Sequence, residues 1–256
     1  MFITIKTMDI VTLGSLCVDI VLSVPVLPQA SDEGERPAFF EQLVVAQPPP
    51  DQKFWEAGGN CNLVIAASRL GLRVSSVGHL GDDTFGHFLL GVLQSERINV
   101  VQIEEDSEET NRGASYGSTL LCWVFVDPHQ NHEFFSNTGF SEGPVLGRMT
   151  NLPKQAVAEI QQSKILFCDG YVFDEISPDL VVSALNRAID AGTTIFFDPG
   201  PAGKDLATGT PAQKNALDML LRLTDVLLLT SDEAESLTGI KNAVAAGYEL
   251  IKKGGR

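Results

Sequence analysis

The sequence predicts an α/β fold in which a mostly parallel β-sheet is flanked by helices. Short runs of β-branched and other apolar residues alternate with longer segments whose apolar residues have helical spacing. Acidic residues and glycines directly follow several of the predicted strands, as is typical where strands of such a sheet lead into helices. These observations predict βα units that stack into one sheet.

The individual elements follow from the same patterns. The predicted strands are Ile10–Leu13, Val74–His79, Ile165–Cys168, Thr194–Phe197 and Val226–Leu229. The predicted helices are Leu63–Leu70, Thr84–Glu96, Pro153–Gln161, Asp179–Ala191, Pro211–Leu223 and Asp232–Leu237. Ser177 and Pro178 form a helix start signal with a capping serine, and Gly71, Gly192 and Gly239 are helix stop signals.

Two segments depart from this alternation. Ile20–Trp55 is long and rich in proline, whereas Ala114–Phe135 alternates like an antiparallel ribbon with a turn near Asp127–Asn131. We expect them to form a small sheet outside the main core, with lid segments at 20–56 and 112–137 of a single domain that spans 1–256.

Composition excludes several classes of partner. The chain has 256 residues, of which 44% are apolar, and this suits one or two globular domains. Eighteen Lys and Arg against 33 Asp and Glu give a net charge of −15, which repels nucleic acids and anionic membranes. Apolar runs are far shorter than the ~20 residues that span a bilayer, and the four cysteines are dispersed. We therefore expect a cytoplasmic protein without nucleic-acid or membrane partners.

The first candidate site residue is Asp19, in the segment Gly14–Asp19 that follows the first predicted strand. An acid near the carboxyl edge of an open α/β sheet can accept hydrogen bonds from adjacent hydroxyl groups of a polyol. An aspartate that stabilises a turn fits equally well. A dinucleotide site is excluded, because no G-x-G-x-x-G spacing follows the strand.

A glycine pair, Gly58 and Gly59, precedes the first predicted helix. Asn62 is the residue immediately before that helix. Glycines let backbone N–H groups approach a ligand, and an asparagine offers a donor and an acceptor to a hydroxyl group. An ordinary tight turn with an asparagine cap is the alternative.

Two further groups of residues have mainly structural interpretations. Asp82 or Asp83 is expected to cap the helix that begins at Thr84. His79 and His87 lie eight positions apart, and His129 and His132 have no third ligand nearby, which argues against a histidine metal site.

Three later strands also end in polar residues. Asp169 follows the strand at Ile165, Asp198 follows the strand at Thr194, and Thr230 to Glu235 follow the last strand. Because the carboxyl ends of parallel strands converge on one crevice, four acidic strand ends including Asp19 indicate a ligand site there.

Taken in order, these motifs resemble the ribokinase/PfkB carbohydrate kinase family over nearly the whole chain. The motifs are G-x-x-x-x-D, Gly-Gly with Asn before a helix ending Arg-Leu-Gly, Gly-Asp-Asp-x-Phe-Gly, Asp-Pro and Glu-Ala-Glu-Ser-Leu-Thr-Gly. The resemblance implies a Rossmann-like sheet of the ribokinase type with a β lid over the substrate. It also implies ATP-dependent phosphorylation of a sugar or nucleoside hydroxyl, with ATP and Mg²⁺ as cofactors and a homodimer through the lid.

By the same resemblance, residues Asp19, Gly58, Gly59 and Asn62 would hold the sugar. Thr230 and Glu233 would lie on the cofactor side, with Glu233 positioning Mg²⁺ indirectly through water. The lid residues Trp55, Phe134 and Phe135 are candidates for choosing among sugars, but the sequence does not identify the sugar.

The sequence departs from the family pattern at three places. The spacing between the glycine pair and the asparagine is one residue short, so Asn60 and Asn62 are alternatives for the hydroxyl-binding role. Thr230 stands where the family has asparagine. The chain ends at Arg256, before the family's Gly-Ala-Gly-Asp motif, so the general base and the C-terminal part of the fold are expected beyond it. We therefore expect no catalytic residue and no activity in residues 1–256 alone. A non-catalytic truncated isoform or fragment, acting as a sugar-binding or interaction module, is the alternative.

Overall fold

The computed structural model describes residues 6–27, 47–103, 118–136, 146–147 and 149–254. Within these residues the strands are β1 Met8–Leu13, β2 Leu16–Ser23, β3 Trp55–Gly59, β4 Val74–Gly78, β5 Asn99–Gln102, β6 Leu120–Val126, β7 His132–Ser136, β8 Ser163–Asp169, β9 Thr194–Asp198 and β10 Val226–Leu227. The helices are α1 Asn60–Arg69, α2 Thr84–Ser95, α3 Lys154–Gln162, α4 Val172–Glu175, α5 Pro178–Asp190, α6 Ala202–Thr208, α7 Pro211–Leu223, α8 Ser231–Thr238 and α9 Ala243–Lys253. A short 3₁₀ helix covers Gln52–Phe54.

Six strands form the main sheet, in the order β10-β9-β8-β1-β4-β5. All of its neighbouring strands are parallel, and the chain crosses between them through helices. From β1 the strands follow in chain order in both directions, through β4 and β5 on one side and through β8, β9 and β10 on the other. Ligands of such sheets bind in the crevice at the carboxyl end of the strand where the order reverses, which here is β1. The predicted fold class is confirmed.

Helices cover both faces of the main sheet. Val11 and Leu13 of β1 lie in a buried cluster with apolar residues of α3, α5 and α7. Ile10, on the opposite face of the same strand, packs against a second cluster that includes residues of α1 and α2. Since strands buried on both faces read as near-continuous apolar runs, this arrangement explains the sequence of β1.

Helix boundaries agree with most of the start and stop signals. Asp83 caps α2 by accepting a hydrogen bond from the Gly86 N–H at 2.8 Å. Gly71, Gly192 and Gly239 have φ values of 87°, 67° and 72°, the left-handed conformation that ends a helix. Ser177 precedes Pro178 as predicted, but its side chain makes no capping hydrogen bond.

A second, four-stranded sheet has the order β3-β2-β6-β7. Strands β6 and β7 form the predicted antiparallel ribbon, and Asp127 accepts hydrogen bonds from the backbone N–H groups of His129 and Asn131 in its turn. The small sheet outside the main core is confirmed for these strands. Residues 28–46, 104–117 and 137–145, which include much of the predicted lid, lie outside the described residues, so the lid boundaries stay a prediction.

The two faces of the small sheet have different roles. Leu16, Val18 and Ile20 of β2 point into the cluster that also contains Trp123 and Phe125. Their neighbours Cys17 and Asp19 point to the other face, because side chains alternate along a strand. One face of the sheet is therefore core, and the other is available to a ligand.

Several elements were missed at the sequence level. The sequence predicts neither β2 nor β3 as a strand, and β5, α4 and α6 are also absent from the prediction. Strand β5 has 4 residues and α4 has 4, too few for a periodic pattern to be recognised. The last strand is shorter than predicted, since Leu228 and Leu229 lie outside it.

No helix among the described residues is long and apolar enough to cross a membrane.

Candidate functional site

A cavity of about 280 Å³ lies between the polar face of the small sheet and the carboxyl edge of the main sheet. Strands of the small sheet contribute Cys17, Asp19, Gly59, Leu120, Cys122, Val124, His132 and Phe134. The connection after β1 contributes Ser15, and β8 with the segment after it contributes Asp169, Tyr171 and Asp174. The cavity therefore lies where both the acidic strand ends and the predicted lid place a ligand.

Asp19 lies within β2, opposite Cys122 of β6. The sequence places it in the segment that follows the first strand, near the carboxyl edge of the sheet, without predicting a strand there. In the structure that segment enters β2, which begins only three residues after β1 ends. Removal from water raises the pKa of Asp19 to about 6, although the nearby Cys17 thiol donates a hydrogen bond to Oδ1 at 3.4 Å. A ligand hydroxyl that donates a hydrogen bond to such a carboxylate stabilises its negative charge.

The glycine pair makes room for Asp19 and for the turn after β1. A Cβ atom on Gly58 would lie 2.0 Å from Asp19 Oδ1, closer than any side chain tolerates. Gly59 has a φ of 58°, and a Cβ atom there would lie 2.7 Å from the Ser15 carbonyl oxygen. Both positions thus require glycine for geometric reasons, and Gly59 also lines the cavity.

The two asparagines after the glycine pair have different surroundings. Asn60 is buried at the start of α1, and its Nδ2 atom donates a hydrogen bond to the Leu13 carbonyl at 3.5 Å. Asn62 is exposed on α1 and is not among the residues that line the cavity. The assignment of Asn62 to sugar binding stays a prediction.

Asp169 ends β8 and is paired in register with Asp198 of β9. Its Oδ1 atom accepts a hydrogen bond from the Tyr171 N–H at 3.0 Å, which holds the chain in the turn that leads to Asp174. Removal from water raises the pKa of Asp169 to about 7, and the negative charge of Asp198 acts in the same direction. Asp169 is thus a half-buried acid that titrates near neutral pH.

Glu175 lies beneath this segment and was not predicted from the sequence. It is 2% exposed and accepts hydrogen bonds from the backbone N–H groups of Leu16 and His79. Its Oε2 atom has no hydrogen-bond partner among the described residues, and burial raises its pKa to about 8. No sequence signal marks it, because an acid one turn beyond a strand end resembles any solvent-facing residue.

Thr230 and Glu233 lie at the start of α8, after β10. The Thr230 hydroxyl accepts a hydrogen bond from the Glu233 N–H, and the Glu233 carboxylate accepts one from the Thr230 N–H at 2.7 Å. This capping box occupies both side chains, and neither is among the cavity-lining residues. Burial, together with the charge of Glu233, raises the pKa of Asp198, so these two acids are close to each other.

The structure therefore brings together Asp19, Gly59 and Asp169 of the residues that sequence reasoning singled out. It adds Tyr171 and Asp174 from the segment after β8, together with Cys17 and Cys122 of the small sheet. The two cysteines could have been found only by recognising β2 and β6 as partners, since each lies on the same face as Asp19. Of the candidate lid aromatics, Phe134 lines the cavity, whereas Trp55 and Phe135 are buried in the core.

Comparison with known proteins places this chain in a family. Residues 40–256 match the model of the pfkB family carbohydrate kinases. A probable fructokinase-2 of Arabidopsis thaliana is 28% identical over 186 residues, which cover 72% of this chain and 52% of the relative. A 5-dehydro-2-deoxygluconokinase of Bacillus thuringiensis is 29% identical over 196 residues, covering 75% of this chain and 50% of that protein.

Solved structures agree at the level of the fold. Arabidopsis thaliana ribokinase complexed with ribose and ATP superimposes with a TM-score of 0.60 at 16% identity. The superposition covers 96% of this chain and 69% of that chain. At this identity the likeness shows a shared fold.

The parallel sheet, the small sheet over its carboxyl edge and the matching family model define a protein of the ribokinase-like class. The chain belongs to the pfkB family of carbohydrate kinases. It spans about half the length of the curated relatives named above.

Proposed function

We propose that this chain binds a sugar or nucleoside in the cavity between its two sheets, as part of a protein that phosphorylates a hydroxyl group of that ligand with ATP. The observation that carries the proposal is the convergence of Asp19, Asp169 and Asp174 on one cavity at the carboxyl edge of the parallel sheet. Carboxylates accept hydrogen bonds from neighbouring hydroxyl groups, and charged acceptors make the stronger bonds.

The relatives support a sugar as the ligand. Fructokinases are among them, and one structural neighbour was solved with ribose. We propose that Asp19 binds sugar hydroxyls and that Gly58 and Gly59 let the ligand and Asp19 approach the backbone. Asn62 stays a candidate for sugar binding from outside the cavity lining, on the exposed face of α1. Fructose is the first candidate substrate, because relatives from both Arabidopsis and Solanum are named fructokinases.

The cofactor side is proposed to lie after β9 and β10. Asp198 and Glu233 are two acids close to each other there, and among the described residues no group of three or more metal-ligating side chains is present. Mg²⁺ keeps several of its waters in proteins, so two carboxylates that act through water fit it. When bound, Mg²⁺ and ATP would supply the phosphoryl group and neutralise its charge.

Within this chain, Thr230 would keep the Glu233 carboxylate oriented through the capping box. Glu233 would then act on a hydrated metal without direct coordination. The P-loop motif G-x-x-x-x-G-K-[ST] does not occur in the sequence, so ATP would be held without it.

Sugar binding without phosphoryl transfer is the second candidate function. The cavity has a wall of acids and apolar side chains, whereas the side chains of Thr230 and Glu233 bind each other in a capping box. Both observations favour sugar binding over phosphoryl transfer. A protein with that property would act as a sugar-binding or interaction module.

Two assays separate the candidates. Isothermal titration of residues 1–256 with fructose, ribose and adenosine measures binding. Release of ADP from Mg-ATP in the presence of the same ligands, by the chain extended to the length of its relatives, measures transfer. Binding with turnover near ~1 s⁻¹ or faster supports a kinase. Binding without turnover supports the module, and absence of binding to every ligand contradicts both.

A cytoplasmic location and a homodimer formed through the small sheet complete the proposal. The outer strands β3 and β7 are the edges that such a dimer would use. Light scattering coupled to gel filtration distinguishes a monomer from a dimer.

A further inference from the structure

Lysine and arginine side chains lie at the amino ends of three strands of the main sheet. At the amino ends of β1, β4 and β8, Lys164 and Arg73 both pair with Asp9, at 2.7 Å and 3.4 Å. Lys6, just before β1, donates hydrogen bonds to Thr193 and to the Gln161 carbonyl. Because β1 has 6 residues at ~3.3 Å each, these cations lie roughly 20 Å from the carboxyl edge.

The cavity at the carboxyl edge has the opposite character. Three of its lining residues carry carboxylates: Asp19 of β2, and Asp169 and Asp174 at the end of β8 and in α4 directly after it. No lysine or arginine lines it in the described part of the chain, where His132 is the one base. Below the wall, the buried Glu175 is close enough to Asp169 for their charges to interact.

These acids do not form a metal centre. Across residues 6–27, 47–103, 118–136, 146–147 and 149–254, no group of three or more potential ligands is arranged to hold an ion. The same wall also contains the apolar side chains of Leu120, Val124 and Phe134. Carboxylates in such a wall attract the hydroxyl groups of a ligand, and together they repel an anion.

We infer that this cavity selects uncharged sugars and rejects sugars that carry a carboxylate or phosphate group. The inference rests on the proposed function and narrows its substrate class. It distinguishes between the relatives, since one of them is named for a sugar acid, 5-dehydro-2-deoxygluconate, whereas the fructokinases are named for a neutral sugar.

The test uses matched ligands that differ in one group. D-Fructose and D-fructuronate, and D-glucose and D-glucuronate, share a skeleton in which one CH₂OH of the neutral sugar is a carboxylate in the acid. Dissociation constants of all four are measured by titration calorimetry with residues 1–256 at about pH 8, above the pKa values of Asp19 and Asp169. For at least one pair we expect the neutral member to bind roughly tenfold or more tightly than the acid.

Two further measurements assign the preference to charge. In Asp174→Asn, the ratio of the dissociation constant of the acid to that of the neutral sugar in that pair should fall to about threefold or less. Asp218→Asn, which removes an acid from α7 outside the cavity, should leave this ratio unchanged. Raising the salt concentration from ~20 mM to ~500 mM should also narrow the ratio in the unaltered protein, because salt screens the repulsion.

The outcomes are distinct. An acid that binds as tightly as its neutral partner overturns the inference and leaves sugar binding in place. A ratio that changes neither in Asp174→Asn nor with salt also overturns it, since the preference would then come from shape. Binding of none of the four ligands overturns the inference, and the proposed site is overturned with it when ribose and adenosine also fail to bind.

Discussion

Asp19 and Glu175 are both carboxylates held away from water, yet their surroundings differ. Asp19 faces the cavity and can be hydrated or bound by a ligand, whereas Glu175 is enclosed by protein. Burial raises both pKa values, to about 6 and about 8. The first shift therefore bears on ligand binding and the second on folding.

Replacing Asp19 by asparagine should weaken sugar binding by ~10- to 100-fold, because a hydrogen bond to a charged acceptor contributes ~1.5–3 kcal/mol. Asparagine keeps the size of the side chain, so the melting temperature should change little. Calorimetric titration with the best-bound sugar measures the effect, and Asp218→Asn is the control. A dissociation constant within about twofold of the parent would remove Asp19 from the site.

Sugar affinity should rise with pH as Asp19 ionises. Its pKa of about 6 means that the carboxyl group is protonated below this pH, where it loses its charge as an acceptor. The dissociation constant should therefore fall between roughly pH 5 and pH 7, with a further contribution from Asp169, whose pKa is about 7. Titrations across this range test it, and a flat profile in the parent protein would contradict the assignment.

Glu175 should make the protein less stable as the pH rises. The folded state holds the Glu175 proton up to a pKa of about 8, whereas the unfolded chain releases it near ~4.3. Between these values the native state binds more protons, so the free energy of unfolding falls with rising pH. Glu175→Gln should raise the melting temperature by a few degrees at about pH 8 and have little effect at about pH 5.

Thermal denaturation of the parent protein and of Glu175→Gln at the two pH values measures this difference. Equal shifts at both pH values would mean that the packing of the substituted side chain, and not the ionisation of Glu175, determines the result.

At the scale of elements, the pairing of β2 with β3 places a glycine directly beside the site acid. Gly58 pairs with Cys17, and its missing side chain is the space that the Asp19 carboxylate occupies. The small sheet thus determines where Asp19 points. A strand that lacked this glycine would push the carboxylate into the cavity or out of the sheet.

Gly58→Ala should therefore reduce sugar affinity by more than about tenfold and destabilise the fold by ~1–3 kcal/mol, because a Cβ atom would lie 2.0 Å from Asp19 Oδ1. Gly91→Ala is a matched control, since a Cβ atom there meets nothing within 4 Å on the exposed face of α2. It should stabilise the protein by up to ~1 kcal/mol. Binding and urea unfolding measure both effects. Sugar binding by Gly58→Ala as tight as that of the parent would show that the Asp19 carboxylate can adopt another position.

At the scale of the whole molecule, the cavity lies between two sheets. The small sheet shares an apolar cluster with one face of the main sheet, and the other face of the main sheet has a cluster of its own. Val11 and Leu166 of the main sheet lie in one cluster, and Val18 and Trp123 of the small sheet lie in the other. A ligand that contacts both sheets links them. Its binding free energy is then added to the stability of the folded state.

A sugar at about 100 times its dissociation constant should stabilise the chain by ~2.7 kcal/mol and raise its melting temperature by roughly 5–10 °C. Differential scanning fluorimetry with a panel of sugars and nucleosides measures the shift. Hydrogen exchange should slow in both β2 and the segment from Asp169 to Glu175. Protection confined to one of the sheets would contradict a site between them.

The sequence by itself determined the class of the fold and the edge at which a ligand is expected. Parallel strands buried on both faces leave a strong apolar signal, and helix caps such as Asp83 and stops such as Gly71 depend on local backbone geometry. Asp19, Gly59 and Asp169 could be found in this way, because polar residues and glycines after apolar strands stand out along the chain.

Only the tertiary structure decided which residues share the cavity. Cys122 and Phe134 are brought to Asp19 by the pairing of β2 with β6 and of β6 with β7, and the first of these contacts joins residues about 100 positions apart. Glu175 becomes a buried acid only when Leu16 and His79 close over it. Periodicity along the chain carries no information about such pairings, because the burial and charge of a side chain depend on neighbours that local sequence does not specify.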